Sequence, residues 1–339
     1  MERSVLCSCS SRFHCKEEAM SIRQQAAMQA VSKRRSTLGK RILRCFPLYL
    51  MMIPGITYLI VNNYLPLSGL QLAFKKFQYP KGIWGSPWNG VKNFEFLFRT
   101  NDAWLLFRNT IGYNLIFIVV GTIFAIAVAI MLNMVNSKAI KKTTQTIILI
   151  PYLLSYVVIS YIVYAFLGES NGMINRSIMT ALGREPISWY TEPKYWPFVL
   201  TLVQVWKSFG YNSIIYFATL VGFDRSYYEA AVVDGASVWQ QITRITLPML
   251  KPTVITLTLM SVGRMFYSDF GLFYQVPMNS GMLQKVTNTI DTYVYRGLLE
   301  NNDIGRASAA GFLQSILGFA TVLTANLIVR RIEPENALF

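Results

Sequence analysis

The chain has 339 residues, 53% hydrophobic and 14% charged, with a mean hydropathy of +0.35. Apolar runs of about 20 residues, enough to cross roughly 30 Å of hydrocarbon, recur along it, which excludes a division into ordinary soluble domains. Its 32 Lys plus Arg outweigh 17 Asp plus Glu, but these cations fall between or beside the apolar runs, so anionic lipid explains them more simply than nucleic acid.

Taken in order, residues 1–45 are a basic, polar tail. Residues 1–31 read either as disordered or as lying upstream of a start at Met20 or Met28. Cys7, Cys9 and Cys15 gather there with His14, but without paired C-x-x-C spacing, so no metal site is expected. Six basic residues between 33 and 44 precede the first predicted span, 46–65, and hold the tail in the cytoplasm. That run is too long for a cleavable signal, and no small-residue cleavage site follows it. Residues 66–103, rich in Gly, Pro and aromatics, are predicted to be external, with a short interfacial helix at 93–98. The second span is 109–135, followed by the basic turn of Lys138, Lys141 and Lys142. The third, 144–166, contains Pro151, which a membrane helix tolerates when neighbours satisfy the freed carbonyl. Residues 168–195 form a polar external loop with a turn at Asn171-Gly172. The fourth span, 196–223, leads inward. The fifth, 253–276, returns outward and is the most polar. After the loop 277–305 the sixth, 307–329, comes back to Arg330-Arg331 and the tail 331–339. The plan is a membrane domain, 46–330, between two cytoplasmic tails.

Between the fourth and fifth spans, the stretch 224–252 has the chemistry of two short soluble helices. Ser226 with Glu229 and Ser237 with Gln240 have capping-box spacing. Gly235 sits where the first helix stops. Val238, Ile242 and Ile245 make an apolar stripe on the second, which Pro248 is expected to end. Glu229-Ala230-Ala231, Asp234-Gly235-Ala236, and then Ile245, Leu247 and Pro248 resemble the EAA loop of ABC-importer permeases; Ile242 departs from the pattern, standing where an aromatic residue is commoner. The resemblance implies a type I importer permease (MetI-like) fold, an all-α polytopic membrane protein with six transmembrane helices, whose loop docks into a groove of a cytoplasmic ATPase. Glu229, Ala230, Ala231, Asp234, Gly235, Val238, Ile242, Ile245 and Pro248 are then the candidate coupling residues. The small alanines allow close approach, and the two acids suit a basic partner. Without the resemblance, the same residues read as a capped amphipathic hairpin on the membrane surface.

Beyond the loop, four further stretches are similar to the oligosaccharide and polysaccharide importer permeases of the maltose superfamily, particularly the lipoprotein-associated polysaccharide subgroup. They are Pro66-Leu67-Ser68-Gly69-Leu70 with Ala73-Phe74-Lys75, Gly82-Ile83-Trp84-Gly85-Ser86-Pro87-Trp88, Ile290-Asp291-Thr292-Tyr293-Val294-Tyr295-Arg296 and Asn336-Ala337-Leu338-Phe339. The similarity implies a permease subunit of the plasma membrane, with both termini cytoplasmic, that passes oligosaccharides or polysaccharide fragments by alternating access. It also implies a homologous second permease, an ABC ATPase dimer that binds the ATP and Mg, an extracytoplasmic solute-binding protein, an oligosaccharide and membrane lipid as partners.

Chemistry of the chain's own is sparse. No G-x-x-x-x-G-K-[ST] loop is present, and the single histidine, His14, lies in the tail, so no catalytic residue, no cofactor and no enzyme activity are expected. Two spans carry polar stripes instead. Gln204, Lys207, Ser208 and Tyr211 share one face of the fourth; Ser261, Arg264, Met265 and Ser268 make a second on the fifth, with Asp269 on a different face. At about 1.5 Å per residue, Lys207 and Arg264 fall near mid-bilayer, where an unpaired charge costs ~3 kcal/mol or more. The expectation is a translocation path lined by Gln204, Lys207, Ser208, Tyr211, Ser261, Arg264, Ser268 and Asp269, on the two spans where the superfamily places its substrate contacts. Its two cations favour an acidic sugar. The plainer alternative pairs Lys207 with Asp269 or with a partner subunit, the stripes serving as packing. Rival functions are a permease for a non-sugar solute, a polytopic membrane enzyme acting on envelope or lipid-linked sugar, and a membrane sensor signalling through the loop.

Overall fold

The computed structural model describes residues 46–95, 99 and 101–332. The tail cysteines, His14, the basic cluster at 33–44, residues 96–98 of the predicted interfacial helix and residues 333–339 lie outside that set. Among the described residues the chain is helical, with one isolated antiparallel bridge between Lys75 and Trp88. It falls into two compact units, Met1–Ser68 and Gly69–Phe339.

In the first unit α1 (Phe46–Leu59) passes into a π turn, Ile60–Tyr64, and then a 3-10 segment, Leu65–Phe74, whose residues from Gly69 on belong to the second. Helical winding therefore does not stop at Pro66, and Leu48–Phe74 is long and apolar enough to cross a membrane. The turn before the proline explains this. Leu65 N–H donates to Ile60 O, one residue further back than in an α-helix. The ring thus enters where the ladder is already changing register, and its missing N–H leaves little unsatisfied.

The second unit holds α2 (Asn101–Met134), α3 (Lys138–Leu153), α4 (Tyr156–Leu167), α5 (Trp196–Val221), α6 (Ser226–Val233), α7 (Val238–Gln241), α8 (Leu247–Gly263), α9 (Ile290–Leu299) and α10 (Ile304–Ile332). α2 lies along α5 as the most extensive helix pair, and a core around Tyr113, Ile159, Trp196, Leu200 and Phe273 joins them to α4. By length and apolarity Asp102–Met134, Val238–Gly263 and Ile304–Arg331 qualify as spans, as do α3 and α4 taken together. α5, with 26 residues, is about 39 Å long and long enough to cross; Gln204, Lys207 and Asn212 lower its apolarity.

Four predicted elements differ. α2 begins at Asn101 rather than 109. The third span is a bent pair, with 95° between α3 and α4. Pro151 removes one ladder donor near the end of α3, and Ser155 then offers an N-cap, its hydroxyl 3.3 Å from Val158 N. The fifth span is helical from Val238 to Gly263, where it breaks, and Pro248 does not end it. Leu247 N–H bonds Ile242 O across the π turn Ile242–Thr246, and Pro248 falls in the first turn of α8, where a proline nitrogen is tolerated. Finally, the loop 277–305 contains α9, started by a capping box in which Thr289 N–H donates to the Thr292 hydroxyl at 2.8 Å. Its Arg296 is buried and donates to Asn288 Oδ1 and Asn279 Oδ1 at 2.7 and 2.8 Å.

Candidate coupling hairpin and mid-membrane site

The hairpin between α5 and α8 is built by its caps. α6 ends in a Schellman motif: Gly235 has φ +75°, its N–H bonds Val232 O at 3.0 Å, and Ala236 N–H bonds Ala231 O at 2.8 Å. Only glycine adopts that backbone at low cost. Ser237 and Gln240 form a reciprocal capping box at 3.3 and 2.8 Å. The Ser226–Glu229 box does not form. Asp224 Oδ1 takes Ser226 N–H at 3.0 Å instead, and this bond holds the Asp224 carboxyl below the usual carboxylate value. Glu229, Ala230, Asp234 and Pro248 are exposed, and Ala231 is half-buried. Ile242 and Ile245 are half-buried as well, so of the predicted stripe only Val238 is open. Tyr228 Oη closes the hairpin 3.1 Å from Thr246 Oγ1. The most open apolar side chains are Val233 at 88% and Trp239 at 72% exposure. Sequence reasoning passed over both; apolar residues flanking the αL glycine of a capped hairpin were the signal.

At the bend between α3 and α4, Lys207 of α5 donates to Pro151 O at 3.4 Å, Tyr152 O at 3.0 Å and Leu154 O. It is a charged cap on the carbonyl end of α3, where backbone acceptors lack intrahelical donors and the helix dipole is negative. All three ammonium hydrogens are engaged. Asp269 lies near both Lys207 and Tyr156, though it forms no ion pair with Lys207 within 4.0 Å. Tyr156 Oη donates to Gln204 Oε1 at 2.8 Å, and its ring lies 4.8 Å under the Lys207 ammonium.

The break after α8 is satisfied from three other helices. Asn114 of α2 donates to Met265 O and Tyr267 O at 3.0 and 3.1 Å, and Gln314 of α10 donates to Phe266 O at 2.8 Å. Asp291 of α9 accepts the Ser268 N–H at 2.6 Å and its hydroxyl at 2.8 Å. Ser261, Arg264 and Ser268 therefore share no helical face. α8 ends at Gly263, Arg264 is its C-cap, and Ser268 and Asp269 stand on the link beyond it.

A cavity of about 470 Å³ lies among α2, α3, α5 and α8, lined by Thr122, Tyr152, Tyr211, Asn212, Ser261 and Arg264. The Tyr152 and Tyr211 rings stack, centroids 4.7 Å apart and planes 11° apart. Three predicted path residues, Tyr211, Ser261 and Arg264, thus meet in one cavity. Gln204, Lys207 and Asp269 gather at the adjoining bend, joined to it through Tyr152. Ser208 Oγ is turned back onto Gln204 O at 2.8 Å. Arg264 is exposed and makes no side-chain hydrogen bond or ion pair among the described residues. An aromatic pair beside a guanidinium, an amide and a hydroxyl is a set that stacks on a ring and grips a planar anion. Among the described residues no metal-ligating cluster occurs. Tyr152, Tyr156, Asn114 and Gln314 escaped the sequence reading, and Asp291 entered it only within the 290–296 stretch, although polar side chains within or beside apolar spans are themselves a signal.

Two broken spans frame this cavity, whose wall is completed by Ile215, Tyr216, Leu257 and Met260, and are joined to a capped hairpin, a plan that suits an integral membrane transport subunit. The chain belongs to the family described as binding-protein-dependent transport system inner membrane component, matched over residues 118–334. It is similar to Protein LplB of Bacillus subtilis (strain 168), 30% identical over 289 residues that cover 85% of this chain and 90% of the relative. It is also similar to the polygalacturonan/rhamnogalacturonan transport system permease protein YteP of the same organism, 30% identical over 317 residues, 92% of this chain and 98% of the relative. A crystal structure of a bacterial ABC transporter involved in the import of the acidic polysaccharide alginate matches with a TM-score of 0.79 and 32% identity, covering 87% of this chain and 99% of that one. A bacterial alginate ABC transporter in complex with an alginate pentasaccharide-bound periplasmic protein matches at 0.78 and 31%, over 87% and 98%. The all-α importer-permease fold read from the sequence is borne out.

Proposed function

We propose that this chain is one half of the membrane pathway of an ABC importer and that its cargo is an acidic oligosaccharide or polysaccharide fragment. The observation that carries the cargo is the cavity in which stacked Tyr152 and Tyr211 stand beside the unpaired Arg264. Its volume lies in the range of about 300–1,000 Å³ usual for small-ligand sites. The acidic alginate carried by the structural relatives points the same way. Lys207, with its hydrogens engaged by α3, positions the bend and does not read the cargo.

The hairpin faces the cytoplasm, and both termini with it, because the ATPase that holds the ATP and Mg is there. A second permease completes the path, and a solute-binding protein delivers the sugar from outside. Glu229 and Asp234 offer carboxylates to the ATPase, while Val233, Val238 and Trp239 offer apolar contact. The continuous helix from Val238 to Gly263 supports a direct linkage. ATPase closure displaces the hairpin, and the displacement arrives at the break beside Arg264, where the cavity changes the side it opens to.

The test is uptake by the reconstituted complex of uronate and neutral oligomers of equal length. Losing a charge-assisted bond worth about 1.5–3 kcal/mol, Arg264→Gln lowers uptake of the acidic oligomer roughly ten- to hundredfold and leaves neutral uptake unchanged. Unchanged acidic uptake in that variant refutes the cargo reading.

A further inference from the structure

A second cavity, of about 700 Å³, lies at the hairpin end of α5, apart from the cavity at Arg264 and bordered by Tyr228 and Glu229 of the hairpin. Lys138 and Lys141 of α3 and Arg225 before α6 line it, against a single carboxylate, Glu229. None of the three cations has an ion-pair partner among the described residues. Lys141 Nζ instead sits 5.2 Å over the Phe217 ring, a contact that offsets its charge only in part and brings no anion to it. The N-terminus of α3, 16 residues long and capped by Ser137, adds its positive dipole end at Lys138. The rest of the lining is mixed: Asn133, Asn136 and Tyr228 are polar, while Phe217, Leu220, Val221 and Phe223 make an apolar wall at the end of α5.

That combination separates two classes of anion. A free phosphate answers the cations and leaves the apolar wall wet. A phospholipid answers both, its phosphate among the cations and its first acyl carbons along the end of α5, at the depth where a span leaves the hydrocarbon. We propose that this cavity binds the phosphate of an anionic phospholipid from the leaflet on the hairpin side. The lipid bears on the coupling hairpin through Arg225, which lies against the first turn of α6 and whose carbonyl accepts Glu229 N–H at 3.0 Å. Its effect on ATP hydrolysis rests on the importer reading; its binding does not.

The experiment places the purified complex in nanodiscs of phosphatidylcholine alone or with phosphatidylglycerol. Retained lipid is read by native mass spectrometry, and binding-protein-stimulated ATP hydrolysis is read in parallel. Wild type retains phosphatidylglycerol and hydrolyses ATP several-fold faster with it. Lys138→Gln with Lys141→Gln weakens retention about fivefold per lysine, abolishes the stimulation and keeps the phosphatidylcholine rate; Lys138→Arg with Lys141→Arg restores both. Wild-type retention in the double Gln variant overturns the proposal. So does stimulation by inorganic phosphate in phosphatidylcholine discs, which assigns the cavity to a free anion. Should no ATPase co-purify, the importer reading fails while retention by the chain still reports the lipid site.

Discussion

Replacing Lys207 by methionine keeps the length and the apolar stem of the side chain and removes the donor that closes α3. The carbonyls of Pro151, Tyr152 and Leu154 then lose their shared partner at the bend. One charge-assisted hydrogen bond contributes about 1.5–3 kcal/mol, and a cation at a helix C-terminus adds about 0.3–1 kcal/mol. Three bonds from one ammonium do not add independently, and Lys207 is only half-buried, so the expected loss is about 2–4 kcal/mol. At roughly 2–4 °C per kcal/mol for a chain of a few hundred residues, the melting temperature of the assembled complex falls by about 4–16 °C. Lys207→Arg, which keeps charge and donors, recovers most of it. The assay is thermal unfolding in nanodiscs, followed by uptake of acidic and neutral oligomers well below the melting point, where Lys207→Met still discriminates between them. A variant that melts like wild type but loses acidic uptake alone refutes the reasoning and makes Lys207 a cargo contact.

Gly210→Ala puts a Cβ 1.8 Å from Ile148 O, a backbone obstacle that forces α3 from α5; a loss of about 1–3 kcal/mol appears as lower thermal stability. Gly121→Ala, with nothing within 4 Å, serves as the neutral control. Asp224→Ala exposes the first turn of α6 and raises amide exchange at Ser226, whereas Ser226→Ala, which retains the backbone donor, changes it little. The Asp224 carboxyl is depressed in the folded state, so its cap is present above the ordinary carboxylate value and is lost as pH falls through the depressed one; Ser226 exchange against pH reads this directly. Val233→Asp, at the most open apolar position of the hairpin, weakens co-purification of the ATPase and leaves the melting of the chain unchanged.

What the sequence made legible was local. Gly235, Ser237 and Gln240 act within a few residues of themselves, and their caps stand as the spacing predicts. Pro66 and Pro248 misled because each follows a π turn, and a one-residue change of register has no signature in composition. Ser226 looked like a cap, but Asp224, two residues earlier, reaches its amide. The break after α8 was invisible for another reason. The groups that stabilise it, Asn114, Asp291 and Gln314, come from α2, α9 and α10, so no window around 264–269 contains them. For the mid-membrane residues, stripe reasoning gathered the right neighbourhood and missed its division, since a straight fifth helix leaves no room for Arg264 and Ser268 to part.

The Asp291 carboxylate ties together three stretches far apart in the chain: the link at Ser268, the first turn of α9, and Gln314, whose amide lies 3.1 Å from both of its oxygens. Such a knot restricts how the protein can be altered by substitution. Loss of the Asp291 carboxylate takes the shared acceptor from the Ser268 N–H, its hydroxyl and the Gln314 amide at once, so a viable replacement there has to alter its partners as well. An engineer transplanting the loop 277–305 from one permease to another must therefore carry Ser268 and Gln314 with α9, although neither belongs to the loop.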